Sequence, residues 1–464
     1  MENLPHRPRV VWRYAPHTCE YPLVSTRIRS GRRVWLVFGA GVGVYFAAVV
    51  HRTALGVAGV EAIDRFGIQA TGLALFSVVQ LGAYAALQVP AGHLLDRWGP
   101  RAVMVAGSLV MASGQLLLAV TDQVSIALVA RVLIGAGDAP IFIAAGRLVA
   151  EWFPPRRVPI LVQVTGLIGQ AGQLATAIPV AFVLHAQGWS ATFALLAALG
   201  VGAAGIALVG VRMPSTEVQA TVVAQREKFW ASVRAATSPA GTRLGFWSHF
   251  LAPFGANSFA LLWGVPFLVT AQQRTVAEAS TLLIVLTVSA MIAGPTAGFL
   301  TSRHPLRRSW IVLGSAMTSA LAWIVLLSFD TPRPMWQLAV FCFVIGVGGP
   351  VSLVGIDFAR TYSASERLGT AMGFVNVGGF VSTIIAILLI GAVLQLTSPP
   401  GETTYSLGNF RLAFASLAIP WLIGLWGVLA SRRRTRTHLA LNGVLVPRVR
   451  DILRRQSQKE SRNP

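Results

Sequence analysis

Long apolar stretches, separated by short polar segments, recur along almost the whole chain. Each has about 18 residues or more, enough to cross the roughly 30 Å hydrocarbon core of a bilayer as a helix. Several contain proline or glycine, which bundled membrane helices tolerate because neighbouring helices satisfy the freed backbone groups. The pattern predicts an all-α integral membrane protein with twelve transmembrane helices. The predicted segments are 34–59, 70–95, 102–121, 125–150, 158–186, 190–212, 243–272, 276–301, 309–329, 334–359, 368–396 and 409–431.

The twelve segments form two similar sets of six. Residues 92–101 are echoed by 298–307, which have glycine and two arginines at matching positions but Ser302 in place of Asp96. The echo predicts two six-helix pseudo-repeats. Because the acid Asp96 has no counterpart in the second copy, the first half is expected to carry the ionisable groups. The predicted divisions are an N-terminal tail 1–33, a first bundle 34–212, a linker 213–242, a second bundle 243–431 and a basic tail 432–464.

Charge is scarce and unevenly placed. The 464 residues are 54% hydrophobic and 12% charged, with a formal net charge of +21. Sorted by the predicted topology, 31 of the 38 Lys and Arg fall on one side, 4 on the other and 3 within helices. This bias predicts that both termini are cytoplasmic in a cell membrane. The excess positive charge is therefore a topological signal, which argues against nucleic-acid binding and favours contact with anionic lipids at the cytoplasmic face.

The chain offers no pattern typical of an enzyme or a metal site. Its two cysteines, Cys19 and Cys342, fall in different parts of the predicted fold, and no metal-ligand spacing is present. No nucleophile–base cluster or phosphate-binding loop was found, and residues 1–33 lack the apolar core of a signal peptide. We therefore expect no enzymatic activity, no metal and no cofactor.

Charged residues inside the apolar segments are the candidate functional groups. His51 and Arg52 lie in the first segment, and Arg131 and Asp138 lie in the fourth. A charge in hydrocarbon costs several kcal/mol, so such residues usually face a cavity or a partner. Arg131 and Asp138 are seven residues apart, which places them on one helix face but about 10 Å apart along the axis. That separation is too large for direct pairing, so each needs another partner.

The polar decapeptide at 92–101 is the most specific motif. It reads Gly-His-Leu-Leu-Asp-Arg-Trp-Gly-Pro-Arg and joins the second and third predicted helices. It resembles the signature loop of the major facilitator superfamily of secondary transporters, and the resemblance covers residues 34–431. It implies two six-helix bundles with a central site and alternating access. The conformational loop residues would be Gly92, Asp96, Arg97, Gly99 and Arg101.

A narrower resemblance is to the anion:cation symporter branch, which includes organic-anion/proton symporters. It rests on Arg52, the stretch 84–92, Arg131-x-x-x-Gly-x-Gly-Asp138 and the stretch 151–157. Carried over, Arg52 would bind the substrate anion, Asp138 would take the proton and Arg131 would tune it. The chain departs from the branch pattern in having His51 where an acid is usual and Asp138 where Glu is usual. The sequence Asn376-Val-Gly-Gly also resembles, loosely, a nitrate-transporter motif.

Together these observations predict the site and the function. The substrate-binding and coupling residues are expected to be Arg52, Asp138, Arg131, His51, Tyr45 and Asn376. The predicted function is proton-coupled symport of a small anionic solute by a monomer. Efflux of drugs or hydrophobic metabolites by proton antiport, and a non-transporting receptor or scaffold on the same fold, remain alternatives. So do structural roles: Arg52 extending to the outer interface, and Asp138 pinning helices together.

The basic C-terminal tail has its own pattern. After Pro447, apolar residues at 449, 452 and 453 alternate with arginines at 448, 450, 454 and 455. This spacing predicts a short amphipathic helix on the anionic inner membrane surface. A solvated tail that only fixes the topology is the alternative.

Overall fold

The structure is a computed structural model that describes residues 31–68, 70–214, 228–399 and 405–444. All regular secondary structure in these ranges is helical. The first half contains α1 (Arg32–Val57), α2 (Gly59–Phe66), α3 (Ala70–Val120), α4 (Val124–Trp152), α5 (Val158–Ala175), a π-helical turn (Thr176–Val180) and α6 (Ala181–Gly210). The second half contains α7 (Phe229–Thr237), α8 (Ala240–Leu251), α9 (Phe254–Ser258), α10 (Gly264–Pro266), α11 (Val276–Arg303), α12 (Arg308–Leu327), α13 (Met335–Gly346), α14 (Gly348–Ser352), α15 (Val354–Tyr362), α16 (Leu368–Thr397), α17 (Leu407–Ala415) and α18 (Ala418–Leu441), with π-helical turns at Phe259–Trp263 and Phe267–Ala271 and a 3₁₀ turn at Ser365–Arg367.

Ten helical runs in the described ranges are long and apolar enough to cross a membrane. Two of them, Leu75–Val120 and Val158–Gly210, have 46 and 53 residues. At 1.5 Å per residue they measure about 69 and 80 Å, which is more than two hydrocarbon cores. Each is broken at a glycine with positive φ, Gly99 (77°) and Gly188 (78°), a conformation that suits glycine. Each therefore supplies two spans, and the prediction of twelve transmembrane helices is confirmed.

The two parts of α3 have separate roles in packing, and we call them α3a (70–98) and α3b (100–120). We also call the side where α1 begins, at Arg32, and α18 ends, at Leu441, the terminal face. The Gly99 turn lies on this face. Within the first bundle α3b packs closely on α4, because Gly107 and Gly137 bring the two backbones together. Small residues at such crossings are typical of packed membrane helices.

The two halves meet on the side of the terminal face. Helix α3a packs on α16 and α5 packs on α11. A Cβ added at Gly92 would lie 2.3 Å from the carbonyl oxygen of Gly369, and one added at Gly298 would lie 2.9 Å from Cα of Ile160. One hydrophobic cluster includes residues of both halves, among them Leu95 and Met372. The halves are therefore closed against each other at the terminal face.

Helix ends differ from the predicted segments in three places. The linker contains α7, and α8 already begins at Ala240. The segment predicted at 334–359 is three short helices around Pro350. Helix α18 continues into the predicted tail as far as Leu441. In this extension the Arg432 guanidinium lies 4.3 Å from the Trp310 ring centroid. The predicted N-terminal tail up to residue 30, Cys19 and the predicted helix at 448–455 lie outside the described residues.

The close crossing of α3b and α4 generates a stability prediction. A Cβ added at Gly107 would lie 2.5 Å from the Gly137 carbonyl oxygen, so we expect Gly107→Ala to lower the free energy of unfolding by about 1–3 kcal/mol. Gly202→Ala in α6 is the matched control, since no atom lies within 4 Å of its added Cβ. That change should be neutral or stabilising, by up to about 1 kcal/mol. Thermal unfolding of the purified proteins measures both effects, and equal midpoints would contradict the packing argument.

Candidate functional site

An ion pair between α1 and α4 lies at the centre of the first bundle. Arg52 donates to Asp138 through both Nε and Nη2, at 2.6 Å from Oδ2 and 3.0 Å from Oδ1. The Asp138 side chain is fully buried, whereas the Arg52 side chain is 26% exposed. Charge-assisted bidentate pairs of this kind are strong and fix both side chains. The exposed part of the guanidinium leaves it accessible to a second anion.

Tyrosine and glutamine side chains of α3a surround the arginine. The Arg52 guanidinium lies 4.8 Å from the centroid of the Tyr84 ring, and Gln80 Nε2 donates to the Arg52 carbonyl oxygen at 3.4 Å. A cation over an aromatic face is attracted by the ring quadrupole. Sequence reasoning did not select Tyr84 as a site residue, although it belongs to the stretch 84–92 that carries the family resemblance. These contacts hold Arg52 in the orientation that meets Asp138.

A polar layer below the ion pair, toward the terminal face, joins the two halves. Asn376 of α16 donates through Nδ2 to Gln88 Oε1 at 2.9 Å and to Tyr84 Oη at 3.3 Å. Gln88 in turn donates to the Ala139 carbonyl oxygen, next to Asp138. Tyr84 and Gln88 are four residues apart and so share one face of α3a. The predicted residue Asn376 therefore reaches the ion pair through Tyr84, which lies against Arg52.

The other predicted site residues have different surroundings. Tyr45 is buried, with its ring 5.3 Å from that of Phe142 and close to Gly169, and its hydroxyl interacts with the Arg52 side chain. His51 and Arg131 are also buried, at 0% and 3% exposure. Arg131 Nε donates to the Phe76 carbonyl oxygen, and no direct contact joins it to Arg52 or Asp138 in the described residues. The structure thus brings Arg52, Asp138, Tyr45 and, through Tyr84, Asn376 together.

The conformational loop closes the terminal face. The Asp96 carboxylate accepts hydrogen bonds from the backbone N–H of Gly369 and from the N–H and Oγ of Thr370, each at 2.7 Å. These groups form the N-terminus of α16, where the helix dipole favours an anion. Arg147 of α4 donates to the same carboxylate at 2.7 Å. One buried acid therefore joins α3a and α4 of the first half to α16 of the second.

The remaining loop residues shape the turn. Gly92 gives α3a its close approach to Gly369, and Gly99 takes the positive φ that breaks α3. Arg97 is half-buried and Arg101 is exposed. The turn thus depends on its two glycines, while its arginines lie toward the surface.

The equivalent position in the second half is different. Ser302 donates only to the Phe299 carbonyl oxygen of its own helix, and the polar contact near it is formed within the second half. There Arg308 and Arg360 both pair with Asp357. A neighbouring contact, from Gln163 Nε2 to the Pro350 carbonyl oxygen at 2.8 Å, does cross between the halves but carries no charge. Among the described residues, the charged contact that closes the halves is therefore present at one of the two equivalent positions and absent at the other.

Within the described residues no group of three or more His, Cys, Asp or Glu side chains is arranged to hold a metal ion. The site described above contains a carboxylate, a guanidinium, a phenol and amides, which can bind an anion and exchange a proton.

Comparisons with known proteins agree with this architecture. The family model described as Major Facilitator Superfamily matches residues 37–270 and again 245–457. The probable galactarate/D-glucarate transporter of Escherichia coli is 22% identical over 416 residues, covering 80% of this chain and 89% of that protein. The chloramphenicol resistance protein of Pseudomonas aeruginosa is 26% identical, covering 77% of this chain and 82% of that protein.

Solved structures show the same fold. The crystal structure of the Escherichia coli fucose:proton symporter superposes with a TM-score of 0.62 at 14% identity, covering 86% of this chain and 99% of that one. The predictions of a twelve-helix transporter fold and of a transporter rather than an enzyme are confirmed. Because the family model matches most of the chain, the protein belongs to the Major Facilitator Superfamily of transporters.

Proposed function

We propose that this protein is a proton-coupled symporter of a small organic anion. The observation that carries the proposal is the Arg52–Asp138 pair. In it a buried carboxylate binds a guanidinium whose side chain is 26% exposed. An arriving substrate carboxylate competes with Asp138 for Arg52. Asp138 then loses its counter-charge in a dry environment and takes up a proton. Substrate and proton binding therefore favour each other, as symport requires.

The charges near the site favour a substrate with one negative charge. Arg52 is the partly exposed cation at this level of the first bundle, because Arg131 is buried beside Phe76. In the described part of the second bundle, Lys and Arg residues lie near one of the two faces rather than at the middle of the helices. At mid-level that bundle offers polar groups such as Asn257 and Thr383, which are hydrogen-bonded at 3.3 Å. We therefore infer that sugar-acid monoanions are better substrates than diacids.

The orientation follows from the arginines. We propose that the terminal face is cytoplasmic in the cell membrane and that the protein acts as a monomer. Arg432 lies against Trp310 and donates to Ser309 Oγ at 3.1 Å, at the membrane end of an arginine-rich helix. Anionic lipid headgroups are the proposed contact for this end, since each basic residue near an anionic surface adds attraction.

A transport assay tests the roles of the ion pair. In proteoliposomes with an inward pH gradient we expect uptake of gluconate or galactonate, with little uptake of glucarate. Arg52→Gln should weaken substrate binding about 10- to 100-fold, because it removes a charged bidentate contact. Asp138→Asn should abolish gradient-driven accumulation but keep exchange of internal for external substrate. Asp122→Asn, in an exposed loop on the opposite face, is the control and should behave like the unmodified protein.

Two results would reject this proposal. Uptake by Asp138→Asn that still responds to the pH gradient would remove Asp138 from coupling. Proton-driven export of a neutral aromatic compound, without uptake of any anion, would support the antiport alternative, which the chloramphenicol resistance protein among the relatives keeps open.

The Asp96 contact makes a separate prediction about turnover. Asp96→Asn replaces a charged acceptor of four hydrogen bonds, three of them from the second half, so it should destabilise the state closed at the terminal face. We expect maximal transport to fall about tenfold with substrate affinity little changed, since the loop lies far from Arg52. Ser302→Ala is the matched control, because Ser302 bonds only within its own helix. Normal turnover with strongly weakened substrate binding would show that the loop has another role.

A further inference from the structure

Among the residues that the structure describes, the buried cation Arg131 has no carboxylate partner. Its side chain is 3% exposed, Nε donates to the Phe76 carbonyl oxygen at 3.3 Å, and Nη1 has no hydrogen-bond partner. Asp138, two turns along the same helix, is already held by Arg52. A charge withdrawn from water and left uncompensated is strongly destabilising, unlike the paired arginines elsewhere in this chain.

Within the described part of the chain, three other helices place polar atoms without hydrogen-bond partners near Arg131. Both ring nitrogens of His51, on α1, are buried and unpartnered. So are the amide oxygens of Gln80 on α3a and Gln115 on α3b. Buried polar groups are nearly always satisfied, by protein, water or an ion. We call Arg131, His51, Gln80 and Gln115 the four-helix polar cluster.

Close contacts between the helices bring these four residues together. Gln115 Nε2 donates to the His51 carbonyl oxygen at 3.2 Å, and Gln80 Nε2 donates to the backbone of the next residue of α1. Helix α4 approaches both partners on either side of Arg131. A Cβ added at Gly114 would lie 2.8 Å from the Ala130 carbonyl oxygen, and one added at Gly135 would lie 2.3 Å from that of Gln80.

We propose that the four-helix polar cluster binds a small inorganic anion of halide size. Arg131 Nη1 supplies the charge and one N–H donor, and the His51 imidazole supplies a second N–H. The two amide oxygens are acceptors, and they bind a water that accompanies the anion rather than the anion itself. The charge that holds this anion is separate from the proposed substrate site, because Arg131 lies about 10 Å from Asp138 along the axis of α4. Gln80 is the residue that borders both, since its Nε2 donates to the Arg52 carbonyl oxygen. Its anion neutralises a structural charge and is not transported.

Thermal unfolding of the full-length protein in detergent tests this proposal without any transport readout. Sodium chloride and sodium bromide are titrated against sodium methanesulfonate at constant ionic strength. We expect a saturable rise of the midpoint by roughly 2–4 °C in chloride and bromide, since a ligand that binds only the folded state stabilises it. The same rise should appear in the double variant Arg52→Gln/Asp138→Asn, which removes the proposed substrate site without changing the net charge.

Two further variants locate the anion. Arg131→Gln removes the buried charge and should unfold at a midpoint independent of chloride. His51→Asp adds a carboxylate to the cluster, so its midpoint should be raised without chloride and should no longer respond to it. An absent halide effect in the unmodified protein would overturn the proposal. A halide effect that is lost in the double variant would also overturn it, because the anion would then bind at Arg52. A halide effect that is retained in Arg131→Gln would overturn it too, because it would reflect screening of the arginine-rich surface.

Discussion

The constraint on which this structure depends is that a charge inside the membrane needs a partner. Arg52 and Asp138 meet that requirement for each other, with two hydrogen bonds between α1 and α4. The surrounding groups are arranged around this pair: Tyr84 lies against the guanidinium, and Gln88 holds the backbone beside the carboxylate. One partner of the pair is fully buried, and the other is 26% exposed.

The Asp96 contact at the terminal face applies the same principle with a different consequence. Asp138 and Arg52 belong to one bundle, so their pair does not depend on the contact between the two halves. Asp96 is held by Arg147 of its own bundle but also by the N-terminus of α16 in the other. Only the second set of bonds has to break when the halves separate. Because Arg147 lies in the same bundle as Asp96, the carboxylate has a charged partner that does not depend on the contact between the halves.

The two halves share a fold but divide the chemistry between them. In the second half the buried acid near the terminal face, Asp357, is satisfied by Arg308 and Arg360 within its own bundle. Ser302 takes the place of Asp96. The second bundle thus supplies a helix N-terminus and amides such as Asn376 to contacts whose charged partners lie in the first. This asymmetry is visible in the sequence repeat, since only one copy keeps the acid.

The sequence by itself determined the membrane-spanning segments, because an apolar segment must have about 20 residues to cross the hydrocarbon core as a helix. It also determined the repeat and the turn at Gly99, and it marked Arg52, Arg131 and Asp138 as charges in need of partners. Tertiary structure alone decided which partners they have. Arg52 meets Asp138 across 86 residues and Asp96 meets Thr370 across 274, while Arg131 meets no acid in the described residues. The physical reason is that a pattern of hydrophobicity fixes the length of a helix but not its rotation or its neighbours. Those follow from packing at glycines such as Gly92, Gly135 and Gly169, which set how closely the helices approach.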